Sequence, residues 1–222
     1  TLADKACGAI RHAIVTLEFK PGQFIYETQI ANMLGVSRTP IREAFKQLES
    51  RGMVEIHPQK GILITPISMK KVEEVRFIRK SLEVNAFCQV AREWNKSSSR
   101  CKQLQFEVMQ TLKSKEEAIK KNDYYLFLKY DDEYHFNILS YTNNKTLIDV
   151  ISQMKDHLNR VRYLELMEPR HMEDVLNEHR NIFQAITEND EKKAAALLTE
   201  HLDSFQFKEE HLQKYKEYVV FD

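Results

Sequence analysis

The chain has 222 residues, with 33 basic against 33 acidic side chains and a formal net charge of zero. This balance gives no overall attraction to nucleic acid or to an anionic membrane, so any DNA binding must come from a local basic patch. The three cysteines include no Cys-x-x-Cys pair, and no run of about 18 apolar residues occurs. These features argue against a disulfide framework, a thiolate zinc site and a membrane span, and they predict a cytoplasmic protein.

The first predicted helix runs from Leu2 to Leu17, and a turn at Pro21-Gly22 follows it. A short second helix is predicted after Glu27-Thr28, which we expect to cap it, and it ends at Gly35.

The third predicted helix has the clearest signals for its two ends. Ser37 is placed to cap its start, Pro40 falls in its first turn, and Gly52 stands where a C′ glycine closes a helix. One face of this helix is apolar at helical spacing. The opposite face consists of Arg38, Thr39, Arg42 and Lys46. A basic helix that follows a glycine-containing turn is typical of a helix-turn-helix, which places its second helix in the major groove. An ordinary pair of surface helices is the alternative.

A β-hairpin is predicted directly after this helix. Val54–His57 and 62–65 are apolar or alternating segments on either side of the turn-rich tip at 58–61. The order of residues from Val36 to Ala44, with Leu48, Gly52 and Gly61, closely resembles the winged helix-turn-helix of GntR-type bacterial transcription regulators. The resemblance implies that residues 1–67 form a DNA-binding domain, with Arg38 and Arg42 at bases or phosphates. In such a domain Thr39 and Lys46 suit phosphate contacts, and the wing tip at Lys60-Gly61 would approach the DNA backbone or minor groove. A structural ion pair for Arg42 and a solvated side chain for Lys46 are the alternatives.

From Ser68 onward the pattern changes to long amphipathic helices with almost no glycine. The predicted fold is therefore mainly α, with an all-α helical bundle over residues 68–222. At least six helices are expected in it, over residues 68–94, 104–119, 124–140, from 145 onward, 171–188 and from 191 to about 215. Pro169 interrupts the run that begins at 145.

Four polar side chains in this bundle form a candidate metal site. Asp131 and His135 are separated by one helical turn on a face that is otherwise apolar. His179 and His201 lie almost equally far from the predicted turn at Asn189, about 15–16 Å at 1.5 Å per residue, so antiparallel helices would bring them face to face. One carboxylate and three imidazoles suit Zn, Ni, Mn or Fe.

Other interpretations of the same residues stay open. A single histidine on a helix is more often a surface or satisfied core residue than a ligand. Asp131 could be an exposed partner of Lys129 or Lys155, and Asp132 competes with it for the inward position.

The segment Asp131 to His135 is similar to the Asp-x-x-aromatic-His motif of the FCD effector domain, found in the FadR-like branch of GntR regulators. Glu178-His179 with His201 matches the later histidine pair of that domain, and Arg79 with Glu83 matches its first helix. Many members hold a metal ion through the Asp and the three His beside an effector pocket. The resemblance therefore implies Asp131, His135, His179 and His201 as ligands here. The tail after Phe207 has no counterpart, and we expect an additional helix or a dimer contact there.

The resulting hypothesis is a homodimeric regulator that binds a pseudo-palindromic double-stranded operator and responds to a small organic acid. Arg79 and Arg162 are the expected partners of the effector carboxylate, with a structural ion pair as the alternative for each. A metal-sensing regulator is the second hypothesis. A metal-dependent hydrolase is disfavoured because no obvious general base or nucleophile accompanies the four ligands, since the side chain of Glu133 points away from the ligand face. We therefore expect no enzyme activity.

Overall fold

The chain folds mainly into helices, as predicted. The computed structural model describes residues 1–167, 171–204 and 214–221. The helices in these residues are α1 (Leu2–Val15), α2 (Glu27–Leu34), α3 (Arg38–Ser50), α4 (Met69–Glu93), α5 (Ser99–Lys120), α6 (Tyr124–Ser140), α7 (Lys145–Leu166), α8 (His171–Thr187) and α9 (Glu191–Ser204). The strands are β1 (Phe24–Ile25), β2 (Val54–His57), β3 (Gly61–Ile64), β4 (Ile67–Ser68) and β5 (Val219–Val220). None of the described helices is long and apolar enough to cross a membrane.

The described residues form two compact units. The first comprises residues 1–75, 153–161 and 214–221, and the second comprises 76–152 and 162–204.

Glycines in the left-handed conformation end the two helices of the helix-turn-helix. Gly35 has a φ of 64° at the end of α2, and Gly52 has a φ of 68° after α3. The amide of Gly52 donates to the Glu49 carbonyl at 2.9 Å, and the amide of Met53 donates to the Leu48 carbonyl at 3.0 Å. This pair of bonds is a Schellman motif, and it satisfies carbonyls that the helix end would otherwise leave without partners.

The start of α2 differs from the prediction. Tyr26 is the N-cap residue, and Glu27 is already the first residue of the helix. Glu27 and Thr28 are therefore not caps, and the carboxylate of Glu27 is available to interact with side chains of α3.

A three-stranded antiparallel sheet in the order β1-β3-β2 forms the wing. Val54 pairs with Ile64 and His57 pairs with Gly61, so the hairpin closes at the predicted tip. The strand β1 was not predicted, because two residues are too few to show an alternating pattern. Gly61 has a φ of 111°, and a Cβ atom at this position would lie 3.0 Å from the Ile25 carbonyl oxygen.

We expect Gly61→Ala to lower the free energy of unfolding of the first unit by about 1–3 kcal/mol, the cost of a strained backbone conformation. The added Cβ would approach backbone that cannot move without disturbing β1. Urea denaturation followed by far-UV circular dichroism measures the change. Gly8→Ala is the control: Gly8 lies in α1, and beyond the backbone of that helix a Cβ atom there would meet nothing within 4 Å. It should stabilise the chain by about 0.5–1 kcal/mol. An unchanged midpoint for Gly61→Ala would contradict the expected strain.

A short stretch of α7 belongs to the first unit. The fully buried carboxylate of Asp156 accepts hydrogen bonds from Arg11 Nε at 2.6 Å and from Arg51 Nη1 at 3.1 Å. A buried carboxylate needs such partners, because removal from water is costly for an unpaired charge. These two arginines connect α1 and the end of α3 to the same helix.

The strands β4 and β5 pair in parallel, with Ile67 opposite Val219. This pairing gives part of the tail a position in the first unit. Of the tail after Phe207, where an additional helix or a dimer contact was predicted, residues 208–213 and 222 lie outside the described residues, as do residues 205–207 and Pro169.

The long helices from α4 onward begin close to their predicted limits, except for α5. The Oγ atom of Ser68 accepts from the Lys71 amide at 3.1 Å, as expected for the residue that caps α4. α6 runs from Tyr124 to Ser140 as predicted, whereas α5 begins at Ser99 rather than at Leu104.

Trp94, which follows α4, is packed edge-on against Phe183 of α8, with ring centroids 5.6 Å apart. The amide nitrogen of Asn189 donates to the Trp94 carbonyl at 2.8 Å. Trp94 is the only tryptophan of the sequence, and it is buried.

Candidate functional site

Helix α6 directs Asp131 and His135 into the interior of the second unit. Their spacing of one turn places both on the face that also carries Phe127 and Ile138, and all four side chains are buried. Asp131 is thus not the exposed partner of Lys129 or Lys155 that the sequence left open. Asp132 is the less buried of the two neighbouring acids.

Helices α8 and α9 bring His179 and His201 together. Both rings are buried, and their Nε2 atoms lie 3.1 Å apart. The ring of His179 stacks on Tyr134 of α6, with centroids 3.9 Å apart and planes within 9° of parallel. The hydroxyl of Tyr134 donates to the His179 carbonyl at 2.9 Å, which holds α6 against α8.

The three imidazoles of His135, His179 and His201 form a cluster, hereafter the histidine cluster. One ring nitrogen from each lies within 4.8 Å of the others, a spacing that allows one ion to contact all three. Asp131 lies beside them: Oδ1 is 3.6 Å from His179 Nε2, and Oδ2 is 4.0 Å from His135 Nε2.

Each ring has a partner at its Nδ1 atom. Glu83 Oε2 is 2.7 Å from His135 Nδ1, and Glu178 Oε2 is 2.6 Å from His201 Nδ1. Carboxylates in this position fix the ring orientation and leave Nε2 for a ligand, as in many metal centres. The partner of His179 Nδ1 is of another kind, because it is Lys115 Nζ at 2.7 Å.

The three imidazoles and the carboxylate suit a divalent ion such as Zn²⁺ or Ni²⁺, both as ligand types and in their protonation states. Burial lowers the pKa of His135, His179 and His201, in the last two well below the ordinary value, and neighbouring positive or imidazole groups act in the same direction. Neutral imidazoles are the form that binds metal ions. A bound ion would have to change the contacts of Lys115 with His179 and Asp131 and the hydrogen bond between His179 and His201.

Asp131 already has two cationic partners. Lys115 Nζ donates to its Oδ1 at 2.8 Å, and Arg162 of α7 contacts its Oδ2. Burial and the charge of Arg162 lower the pKa of Lys115, while Asp131 at this distance favours the charged ammonium. Lys115 was not identified from the sequence. Its position one turn after Thr111 and Leu112 on the buried face of α5 could have indicated that it points inward, but not which residues it contacts.

The two arginines predicted to bind the effector are engaged in ion pairs. Arg79 Nε donates to Glu83 Oε1 at 2.7 Å, and Arg162 Nη1 donates to Asp132 Oδ1 at 3.0 Å. Burial acts to raise the pKa of Glu83, but Arg79 and His135 together lower it below the ordinary value. A carboxylate effector would therefore have to share or replace a carboxylate that is already present.

The predicted DNA-binding residues lie in the first unit, at the surface. Arg38, Thr39, Arg42, Lys46 and Lys60 are all exposed, and Gly61 is partly so. Glu27 holds two of the arginines from the side of α2. It accepts from Arg42 Nε and Nη2, both at 3.1 Å, and from Arg38 Nη2 at 3.2 Å. These hydrogen bonds lower the pKa of Glu27 and keep it charged.

Two family models match the chain in succession. Residues 2–64 match the bacterial regulatory proteins of the gntR family, and residues 74–204 match the FCD domain.

Known proteins and a solved structure resemble the chain over most of its length. The chain is 31% identical to the HTH-type transcriptional repressor RspR of Escherichia coli K12 over 87% of its own length and 82% of that protein. It is 29% identical to the HTH-type transcriptional regulator YdhC of Bacillus subtilis over 83% and 80% of the two chains. Among solved structures, McbR/YncC of E. coli has a TM-score of 0.78 with 19% identity, covering 98% of this chain and 99% of that one.

Proposed function

The chain belongs to the gntR family of bacterial regulatory proteins and carries an FCD domain after its helix-turn-helix, and on this premise we propose that it is a ligand-responsive transcriptional repressor. Its helical domain binds a divalent metal ion and a small carboxylate-bearing metabolite, which together control operator binding. It acts in the cytoplasm, where operator DNA is found, and its role is regulatory rather than enzymatic.

The proposed division of labour follows the two matched families. Residues 1–67 bind DNA, and residues 68–222 bind the effector and form the homodimer. A symmetric dimer suits this function, because two α3 helices about one DNA turn apart match a pseudo-palindrome. On each half-site Arg38 and Arg42 contact bases or phosphates. The remaining contacts to the DNA backbone come from Thr39, Lys46, Lys60 and Gly61.

The observation that carries the metal proposal is the convergence of three buried imidazoles, each with a charged side-chain atom within 2.7 Å of its Nδ1 atom. His135, His179 and His201 provide nitrogen ligands, and Asp131 provides an oxygen. Zn, Ni, Mn and Fe all accept this donor set. A bound ion would supply a Lewis-acidic position at which an oxygen of the effector carboxylate can coordinate.

Arg162 is positioned to take part in effector binding, because it contacts both Asp131 and Asp132. The side chain of Asp132 is 15% exposed, against 1% for Asp131, so an incoming carboxylate can replace Asp132 more easily. Arg79 supports His135 through Glu83 and contributes positive charge to the site. Effector binding can change DNA affinity only if it favours one arrangement of the dimer over another.

We expect His201→Ala to weaken metal binding by more than about 100-fold. Loss of a residue that only hydrogen-bonds to a metal ligand weakens binding by about 10–100-fold, and loss of the ligand itself should cost more. Competition against a chromophoric chelator with Zn²⁺ and Ni²⁺ measures the affinity of the full chain. His12→Ala is the matched control, because His12 lies in α1, and 41% of its side chain is exposed.

Operator binding should then be measured for both proteins with and without the ion. Equal metal affinity in the His201→Ala variant and the parent would refute the ligand assignment. If the ion alone changes operator affinity, the metal is itself the signal and the protein is a metal sensor.

A further inference from the structure

Lys115 lies beside the histidine cluster and contacts two of the four proposed metal ligands. Its side chain has no exposed surface, and Nζ is 2.8 Å from Asp131 Oδ1 and 2.7 Å from His179 Nδ1. The ring centroid of Phe127 is 4.4 Å from the same atom, close enough for a cation–π contact. Every one of these contacts favours a positive charge at Nζ.

The hydrogen bonds around Lys115 determine where the protons of the cluster lie. Burial and Arg162 lower the pKa of Lys115, whereas its contacts with Asp131 and Phe127 favour the ammonium form. An ammonium group donates only, so in this form His179 Nδ1 accepts from Lys115 and the proton of a neutral His179 is on Nε2. That proton can be donated to His201 Nε2 at 3.1 Å, while His201 Nδ1 donates to Glu178 at 2.6 Å. The ring nitrogens of His179 and His201 are all bonded in this arrangement, and the Nε2 atom of His179, which a metal ion would need, carries a proton.

The charge balance leads to the same conclusion. The carboxylate of Asp131 is matched by Lys115 and by Arg162. A divalent ion added to these groups would bring two further positive charges next to a buried ammonium, and repulsion at such short range is strong where water is excluded. Either the ion stays out or Nζ leaves Asp131 and His179.

We propose that Lys115 is a resident cation that competes with the divalent metal for Asp131 and His179, so that metal binding requires its displacement. The inference rests on the proposed metal site, since the same residues take part. It identifies Lys115 as a positioning residue that sets the metal affinity of this chain.

Lys115→Met tests the competition, because methionine has a similar length but no charge and no donor. We expect this variant to bind Zn²⁺ and Ni²⁺ at least about tenfold more tightly than the parent, because the ion no longer has to displace a cation. Residues that contact metal ligands commonly change metal affinity by about 10–100-fold. Lys113→Met is the matched control: Lys113 is exposed on the same helix, two residues away, and its replacement should leave the affinity unchanged. Competition with a chelator measures all three affinities on the full chain.

Two further measurements keep the outcome clear. Lys115→Gln retains a donor for Asp131 and should also bind metal more tightly, which covers the case in which the methionine variant does not fold. In the metal-free parent, the ¹⁵N resonances of the His179 ring should show the proton on Nε2. A proton on Nδ1 would overturn the proposal.

The different failures are distinguishable. If parent and Lys115 variants bind metal equally and His201→Ala abolishes binding in both, the metal site stands and the competition is refuted. If folded parent and folded Lys115 variants all fail to bind, the metal site itself is wrong, and the role of Lys115 is refuted with it.

Discussion

Replacing Asp131 with alanine is expected to lower the free energy of unfolding of the second unit by about 3–5 kcal/mol, the cost of removing one partner from a buried ion pair. The side chain of Asp131 is 1% exposed and is the carboxylate that Lys115 and Arg162 share. Without it, two cations remain in the interior, and water cannot reach them to replace the lost oxygen atoms. Urea denaturation of metal-free protein gives the change in unfolding free energy.

Two other variants determine whether charge or volume causes this loss. Asp131→Asn keeps the shape and one oxygen acceptor, so it should still destabilise the unit, though by less than alanine. Glu133→Ala removes an exposed carboxylate two residues further along α6 and should change stability by no more than about 0.5 kcal/mol. A loss below about 1 kcal/mol for Asp131→Ala, within the ordinary range of a surface change, would mean that Lys115 and Arg162 are not buried together around this carboxylate.

Replacing Arg42 with alanine is expected to reduce operator affinity by at least about 30-fold in the dimer. A bidentate arginine contact contributes about 1–3 kcal/mol, and a symmetric dimer loses two of them. The side chain of Arg42 is 56% exposed, and its guanidinium is held by two hydrogen bonds of 3.1 Å to Glu27. This arrangement positions the group before DNA arrives and reduces the entropy lost on binding.

Fluorescence anisotropy with operator and unrelated DNA, at two salt concentrations, measures this effect. If Arg42 reads a base, the variant should lose affinity mainly for the operator. If it contacts a phosphate, both DNAs should be affected and the salt dependence should decrease. Arg92→Ala is the control, since Arg92 is an exposed arginine that pairs with Glu191 in the second unit. Unchanged operator affinity for Arg42→Ala would remove Arg42 from the interface.

Much of the fold could be predicted because local signals were strong. Ser37, Pro40 and Gly52 define the limits of α3, and the distances of His179 and His201 from a turn predict that the two rings meet. Such signals depend on residues close together in the sequence, where helix geometry alone fixes the distances.

The missed features depend on residues far apart in the chain. β5 pairs with β4 across about 150 residues, and two-residue strands have no periodic pattern to reveal the partner. Lys115 reaches Asp131 and His179 from a separate helix, which no local pattern predicts. The prediction of Glu27 as a helix cap was wrong because its interactions with Arg38 and Arg42 depend on how α2 packs on α3.

The packing of Trp94 against Phe183 gives the protein an optical probe of its own. All indole fluorescence comes from this one side chain, which belongs to the second unit. Its emission during a urea titration therefore follows the unfolding of that unit alone, whereas circular dichroism follows both. Phe183 also lies one helical turn after His179. A ligand that shifts α8 at the histidine cluster should therefore change the emission wavelength or intensity of Trp94, and no label has to be attached to detect it.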